Sequence, residues 1–307
     1  FAERPYLLVD TDCRAHALDP QLPAWLRTLP APVIAVGQQP SPLAEACDLQ
    51  LATADELAPL LRNIKACPIT AAVLVQTLRL TQRLDVADGL VAESLAFASL
   101  QNGAEFRRWH AGFNAADHPP AQRQPQTPAV AVQRDGDRLC LMLDRADQRN
   151  TMSVEMRDAL LEALSLAIVD DRISSIELAG RGRCFSVGGD LREFGSAPDP
   201  ATAHAVRGVA LPGRLLHRLA SRTTVRVHGA CIGSGIEFPA FAARVMAAAD
   251  AWFQLPELKY GLIPGAGGTV SISRRIGRQR TAWLALSCAR IDARTALAWG
   301  LVDDVEA

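Results

Sequence analysis

Twice in this chain an apolar run ends in a glycine cluster and meets an acid within two residues: CFSVGGDL from Cys184 to Leu191, and ACIGSGIEF from Ala230 to Phe238. Glycine lets the backbone take positive φ or approach another group closely. An apolar strand that ends this way and gives way to a helical turn is a unit of α/β layering. Glu237, set between Ile236 and Phe238, is a residue type that proteins seldom bury without a purpose.

The surrounding segments carry the same alternation. Residues 129–145 hold two apolar runs around the pair Asp135-Gly136, a hairpin signal. Ser153 is placed to cap a helix whose apolar face is Met156, Leu160, Ala163, Leu164 and Ala167. ISSIELAG reads as a buried strand, HAVRGVALPGRLLHRLA as helix around Pro212, TTVRV and ARVMAAAD as strands, and residues 271–276, 281–289 and 293–299 as helices. A helical turn is expected after Gly188-Gly189, and Gly235 is expected to let the chain turn.

The N-terminal third is less regular. LPAPVIAVG reads as a strand, ADELAPLLRNI and AAVLVQTLRLTQRL as helices, and DGLVAESLAFASLQNGAEFRRWHAGF as a long amphipathic helix, an Asn-Gly break and a shorter helix. No catalytic constellation stands out here, and His16 and His110 are isolated. Residues 114–130, rich in Pro, Gln and Ala, have the composition of a connection. The expected division is an N-terminal domain at 1–120, a linker at 121–128 and a catalytic core at 129–307.

Bulk properties exclude several functions. Of 307 residues 49% are hydrophobic and the formal net charge is −1, so a concentrated basic face for nucleic acid is not expected. Seven scattered cysteines form neither a disulfide framework nor a zinc pattern, which suits a reducing cytoplasm. No apolar run reaches membrane-spanning length. No membrane or nucleic-acid partner and no metal are expected.

Chemistry concentrates at the glycine turns. Unpaired backbone N–H groups at such turns attract negative charge, and two converging on one oxygen make an oxyanion hole. FQLPELKYGLIPGAGGT, residues 253–269, adds Glu257 and a further glycine cluster.

From residue 129 to 305 the sequence resembles the crotonase superfamily of enoyl-CoA hydratases and isomerases. LDRADQRNTMS, GRCFSVGGDLREF, VHGACIGSGIEFPAFA, FQLPELKYGLIPGAGGT and ARIDARTALAWGLVD match five of its segments in order. The resemblance implies an α/β fold with a ββα superhelix core. It makes the Gly189 and Ser234 amides the oxyanion pair and Glu237 and Glu257 the two catalytic carboxylates. Ser186, Val187, Arg192, Arg145 and Arg149 fall where coenzyme A is held. Ser234 departs from the usual glycine, His228 from the usual asparagine, and Pro239 is tolerable only in a first helical turn.

The implied reaction is hydration of a 2-enoyl-CoA, one glutamate activating water and the other delivering a proton. Isomerisation, dehydration and retro-Claisen C–C cleavage use the same hole and stay open, as does a non-catalytic subunit. The resemblance implies an acyl-CoA substrate, no cofactor beyond its coenzyme A, and a homotrimer or hexamer. Residues 43–113 resemble the helical module that normally follows this core, and LRTLPAPVIAVG resembles the strand entering the second oxyanion segment without its glycines or acid. These features suggest a degenerate, shortened copy whose helices dock on the core, in the same subunit or in a neighbour.

Overall fold

The computed structural model describes residues 4–12, 19–113 and 127–306. His16 and positions 121–126 of the expected linker lie outside the described residues. The N-terminal third begins with β1 (Leu7–Asp10), α1 (Leu22–Leu26), β2 (Val33–Val36), α2 (Pro42–Ala46) and β3 (Leu49–Leu51). It continues as four helices, α3 (Leu57–Ala66), α4 (Pro68–Thr81), α5 (Val86–Gln101) and α6 (Ala104–Gly112). Strands β1, β2 and β3 form a parallel sheet in chain order.

The core opens with the hairpin β4 (Val130–Asp135) and β5 (Arg138–Leu143), then α7 (Val154–Val169) and β6 (Ser175–Gly180). Helices α8 (Pro200–Val209) and α9 (Pro212–Arg218) lead to β7 (Thr223–Val227), β8 (Ala230–Ile232), the single turn α10 (Ser234–Glu237) and β9 (Arg244–Ala248). Next come β10 (Trp252–Gln254), α11 (Gly268–Ile276), α12 (Arg278–Ser287), β11 (Arg290–Asp292), α13 (Ala293–Trp299) and β12 (Asp304–Glu306). A six-stranded sheet runs β12-β9-β7-β6-β5-β4, parallel except for its hairpin. A small sheet, β11-β10-β8, stands beside it.

Local chemistry sets the boundaries. Asp85, Ser153, Asp199 and Asp292 cap α5, α7, α8 and α13 by accepting an amide three residues on. Pro212 splits the expected single helix in two and occupies the first turn of the second, where its missing N–H has no helical partner to lose. After Gly189 the chain makes turns rather than a helix, and Met152 N donates to Gly188 O at 2.8 Å. Pro239 opens a separate 3₁₀ turn, Pro239–Phe241, beyond the short α10.

The N-terminal helices lie against α11 and α12 of the same chain. Asn63 donates to the Leu286 and Ser287 carbonyls at 3.1 and 2.8 Å, and Thr81 donates to Thr269 O at 3.1 Å. Asp48 is buried between Arg79 and Arg278 and also accepts from Val33 N at 2.9 Å. One apolar cluster runs from Ile34, Leu74 and Phe97 through Leu141 and Phe238 to Val302. No single helix among the described residues is long and apolar enough to cross a membrane.

Candidate active site

The two glycine turns meet. Gly188 has φ +92°, and a side chain there would bring its Cβ to 2.7 Å from Ile232 O, the carbonyl preceding Gly233. Gly233, at φ +51°, is the residue on which the second turn reverses. Gly235 serves differently from the sequence expectation: a Cβ there would stand 2.5 Å from Ser186 O, so its role is close approach of two backbones. The Gly189 and Ser234 amides donate to no other group among the described residues, as an oxyanion pair requires.

Both acids flank the second turn. A Cβ at Gly233 would collide with Glu257 Oε1 and lie 3.9 Å from Glu237 Oε1. Gly189, Ser234, Glu237 and Glu257 line one cavity of about 170 Å³, walled by Phe97, Met152, Phe194, Leu211 and Pro212. The spacing of the two glutamates along the chain gives no hint of this. The fold brings them together.

The environment of each acid is distinct. Glu237 Oε2 accepts from Ala266 N at 2.7 Å and Gly268 N at 2.9 Å. Glu257 Oε2 is buried and has no partner among the described residues. Burial, and then the neighbouring charges of Glu257 and Glu93, push Glu237 well above the ordinary carboxylate range, against those two amides. Burial pushes Glu257 up to about 8. Two carboxylates this close in a dry site disfavour double ionisation. The two amides and the start of α11 favour charge on Glu237, so Glu237 is the member of the pair whose ionised form the fold supports.

A third acid comes from the N-terminal third, where the sequence shows no catalytic constellation. Glu93, on α5, accepts from Gly267 N at 2.7 Å and from Thr269 N and Oγ1 at 2.8 and 2.7 Å. Burial raises it to about 7, against those hydrogen bonds and the charge of Arg207. Alternate amides at the start of α11 therefore serve two acids: 266 and 268 hold Glu237, while 267 and 269 hold Glu93. Its signal in the sequence is an acid on the helix face of Leu90 and Phe97, both buried.

The residues expected at coenzyme A are placed less simply. Ser186 is buried, donating to Asn150 O at 2.7 Å and accepting from Gly188 N at 3.2 Å. Val187 N donates to Arg149 O at 3.2 Å. Arg192 is paired with Asp190, and Arg145 with Glu155 and the Thr127 and Pro128 carbonyls. Arg149 is exposed, in the left-handed region at φ 55°. None of these three arginines lines the cavity. Asn150, missed in the sequence, braces the loop by accepting from Arg145 N and donating to Arg181 O and Cys184 O. Among the described residues no group of three His, Cys, Asp or Glu side chains is arranged to hold a metal ion.

Comparison with known proteins agrees with this geometry. The family model for enoyl-CoA hydratase/isomerase matches residues 138–307. The 2,3-dehydroadipyl-CoA hydratase of Escherichia coli is 33% identical over 176 residues, covering 57% of this chain and 68% of the relative. A probable enoyl-CoA hydratase of Bacillus subtilis is 34% identical, covering 50% of this chain and 60% of the relative. The chain thus spans between 60% and 68% of the length of these two relatives. Among solved structures, an enoyl-CoA hydratase from Mycobacterium smegmatis aligns with a TM-score of 0.54 and 28% identity, over 59% of this chain and 71% of that one. AtuE of Pseudomonas aeruginosa aligns with a TM-score of 0.52 and 32% identity, over 58% and 70%. With more than half of its length matched by the family model and the paired glycine turns in place, the chain belongs to the enoyl-CoA hydratase/isomerase family.

Proposed function

We propose that this protein hydrates a 2-enoyl-CoA through an enolate held by the Gly189 and Ser234 amides. One observation carries the reading. Four buried side-chain polar atoms lack partners among the described residues, and three of them, on Ser234, Glu257 and Arg207, belong to residues lining the same cavity. Buried polar groups are ordinarily satisfied, so such a cluster marks a place where a ligand supplies the partners.

The mechanism follows from the two acids. With the thioester oxygen between the free amides, negative charge forming there is stabilised without reorganisation, and each such donor contributes about 10²–10³ in rate. Glu237, its carboxylate form favoured by the Ala266 and Gly268 amides, takes a proton from water as it adds to the β-carbon. Glu257, protonated at neutral pH, gives its proton to the α-carbon. Atoms balance: water adds as hydroxyl and proton across the double bond.

The test is to follow loss of the conjugated thioester absorbance when purified protein meets crotonyl-CoA and longer 2-enoyl-CoAs. Hydration of at least one is expected. Binding of every enoyl-CoA without turnover would overturn hydration and favour a non-catalytic subunit.

A further inference from the structure

Arg207, on α8, lines the cavity and is not used by the reaction above. Its Nε is buried without a partner among the described residues. Its guanidinium lies over the Phe97 ring, 3.7 Å from the centroid, and makes one long hydrogen bond from a terminal nitrogen to Gly265 O at 3.4 Å. No carboxylate among the described residues forms an ion pair with it, whereas Arg79, Arg192 and Arg278 are each paired with an aspartate. The charges of Glu93 and Glu237 act on Arg207 without direct contact, and a partly buried guanidinium with no carboxylate on its nitrogens is costly.

Its position is informative. Ala266 N holds the Glu237 carboxylate, and the adjoining residue Gly265 receives Arg207. The guanidinium therefore stands one residue along the same wall from the reacting acid. Arg157 also lines the cavity, with Asp158 as its own partner. The cavity is small, about 170 Å³, which suits a short acyl chain.

We propose that Arg207 receives a carboxylate at the far end of the acyl chain, so that the substrate is a short dicarboxylic enoyl thioester. Carboxylates take the planar fork of arginine through two parallel hydrogen bonds, and the unpartnered Nε supplies one arm. This rests on the reading of the cavity as an acyl-CoA site, but not on turnover.

The experiment is calorimetric binding of two saturated probes, butyryl-CoA and glutaryl-CoA, to the full chain and to Arg207→Met and Arg207→Lys. Glutaryl-CoA is expected to bind at least about tenfold more tightly than butyryl-CoA. Arg207→Met should weaken glutaryl-CoA by about 10- to 100-fold, the range for a hydrogen bond to a charged group, and so erase its advantage over butyryl-CoA. Arg207→Lys should retain part of the preference. Equal or weaker binding of glutaryl-CoA to the unaltered protein overturns the proposal even if the variants fail to fold, as does an equal loss on both probes. Hydration of crotonyl-CoA without a glutaryl preference leaves the hydratase reading standing and removes this one. A glutaryl preference without turnover of any enoyl-CoA does the reverse, and failure to bind either probe removes both.

Discussion

The small parallel sheet β1-β2-β3 and the six-stranded core sheet each have a buried acid nearby. In the N-terminal layer, β1-β2-β3, Asp48 is saturated: it accepts from Val33 N, Arg79 and Arg278. In the core, β7 of the six-stranded sheet is followed by β8, which leads to Gly233 and Glu237, and the neighbouring Glu257 keeps one oxygen without a partner among the described residues. The difference separates two uses of burial. A satisfied acid fixes one arrangement of the chain, whereas an unsatisfied one waits for a molecule from outside. The same contrast holds between Glu105, which accepts from Ile69 N, Thr70 N and Thr70 Oγ1, and Glu257.

Substitutions sharpen this contrast. The largest effect is expected at the core acids: Glu237→Gln and Glu257→Gln should each lower kcat for enoyl-CoA hydration by about 10²–10⁴, with the far-UV circular dichroism unchanged. Full activity in either variant would remove that residue from the chemistry. Asp48→Ala should act on stability instead, by about 3–5 kcal/mol in urea unfolding, because Arg79 and Arg278 are left buried without their partner. A smaller loss would show that the N-terminal acid matters less than its saturation suggests.

Glu93 stands between the two classes. Glu93→Ala leaves two amides and a hydroxyl at the start of α11 unpaired, so a stability loss of about 1–3 kcal/mol is expected. A lower kcat should accompany it, because the amides holding Glu237 are part of the same turn. A further expectation is in the pH dependence of stability. The folded state raises Glu257 from the ordinary carboxylate range to about 8. Its contribution to stability is therefore complete below its unfolded value and is lost as pH rises through about 8. Urea midpoints should fall between about pH 4.5 and 8, and Glu257→Gln should flatten that slope. An unchanged slope would place the titration elsewhere.

Much of the core can be read from the sequence because its signals are local. The Ser153 cap, the hairpin around Asp135-Gly136 and the glycine turns each depend on a few adjacent residues. Long-range partners are not legible. Glu93 and Gly267 are 174 residues apart, and nothing near Glu93 announces the amides it meets. Arg207 looks like any surface arginine on an amphipathic helix until Phe97 and Gly265 are placed beside it. The role expected of Gly235 errs for a related reason: close approach to Ser186 and a reversal of the chain both call for glycine, and only the tertiary contact tells them apart.

The interleaved amides at the start of α11 gear the N-terminal helices to Glu237. Any loosening of α5 frees positions 267 and 269, and with them the backbone that orients Glu237. Catalysis should then be a sensitive gauge of how firmly the two parts hold together, fading at denaturant concentrations too low to melt the central sheet.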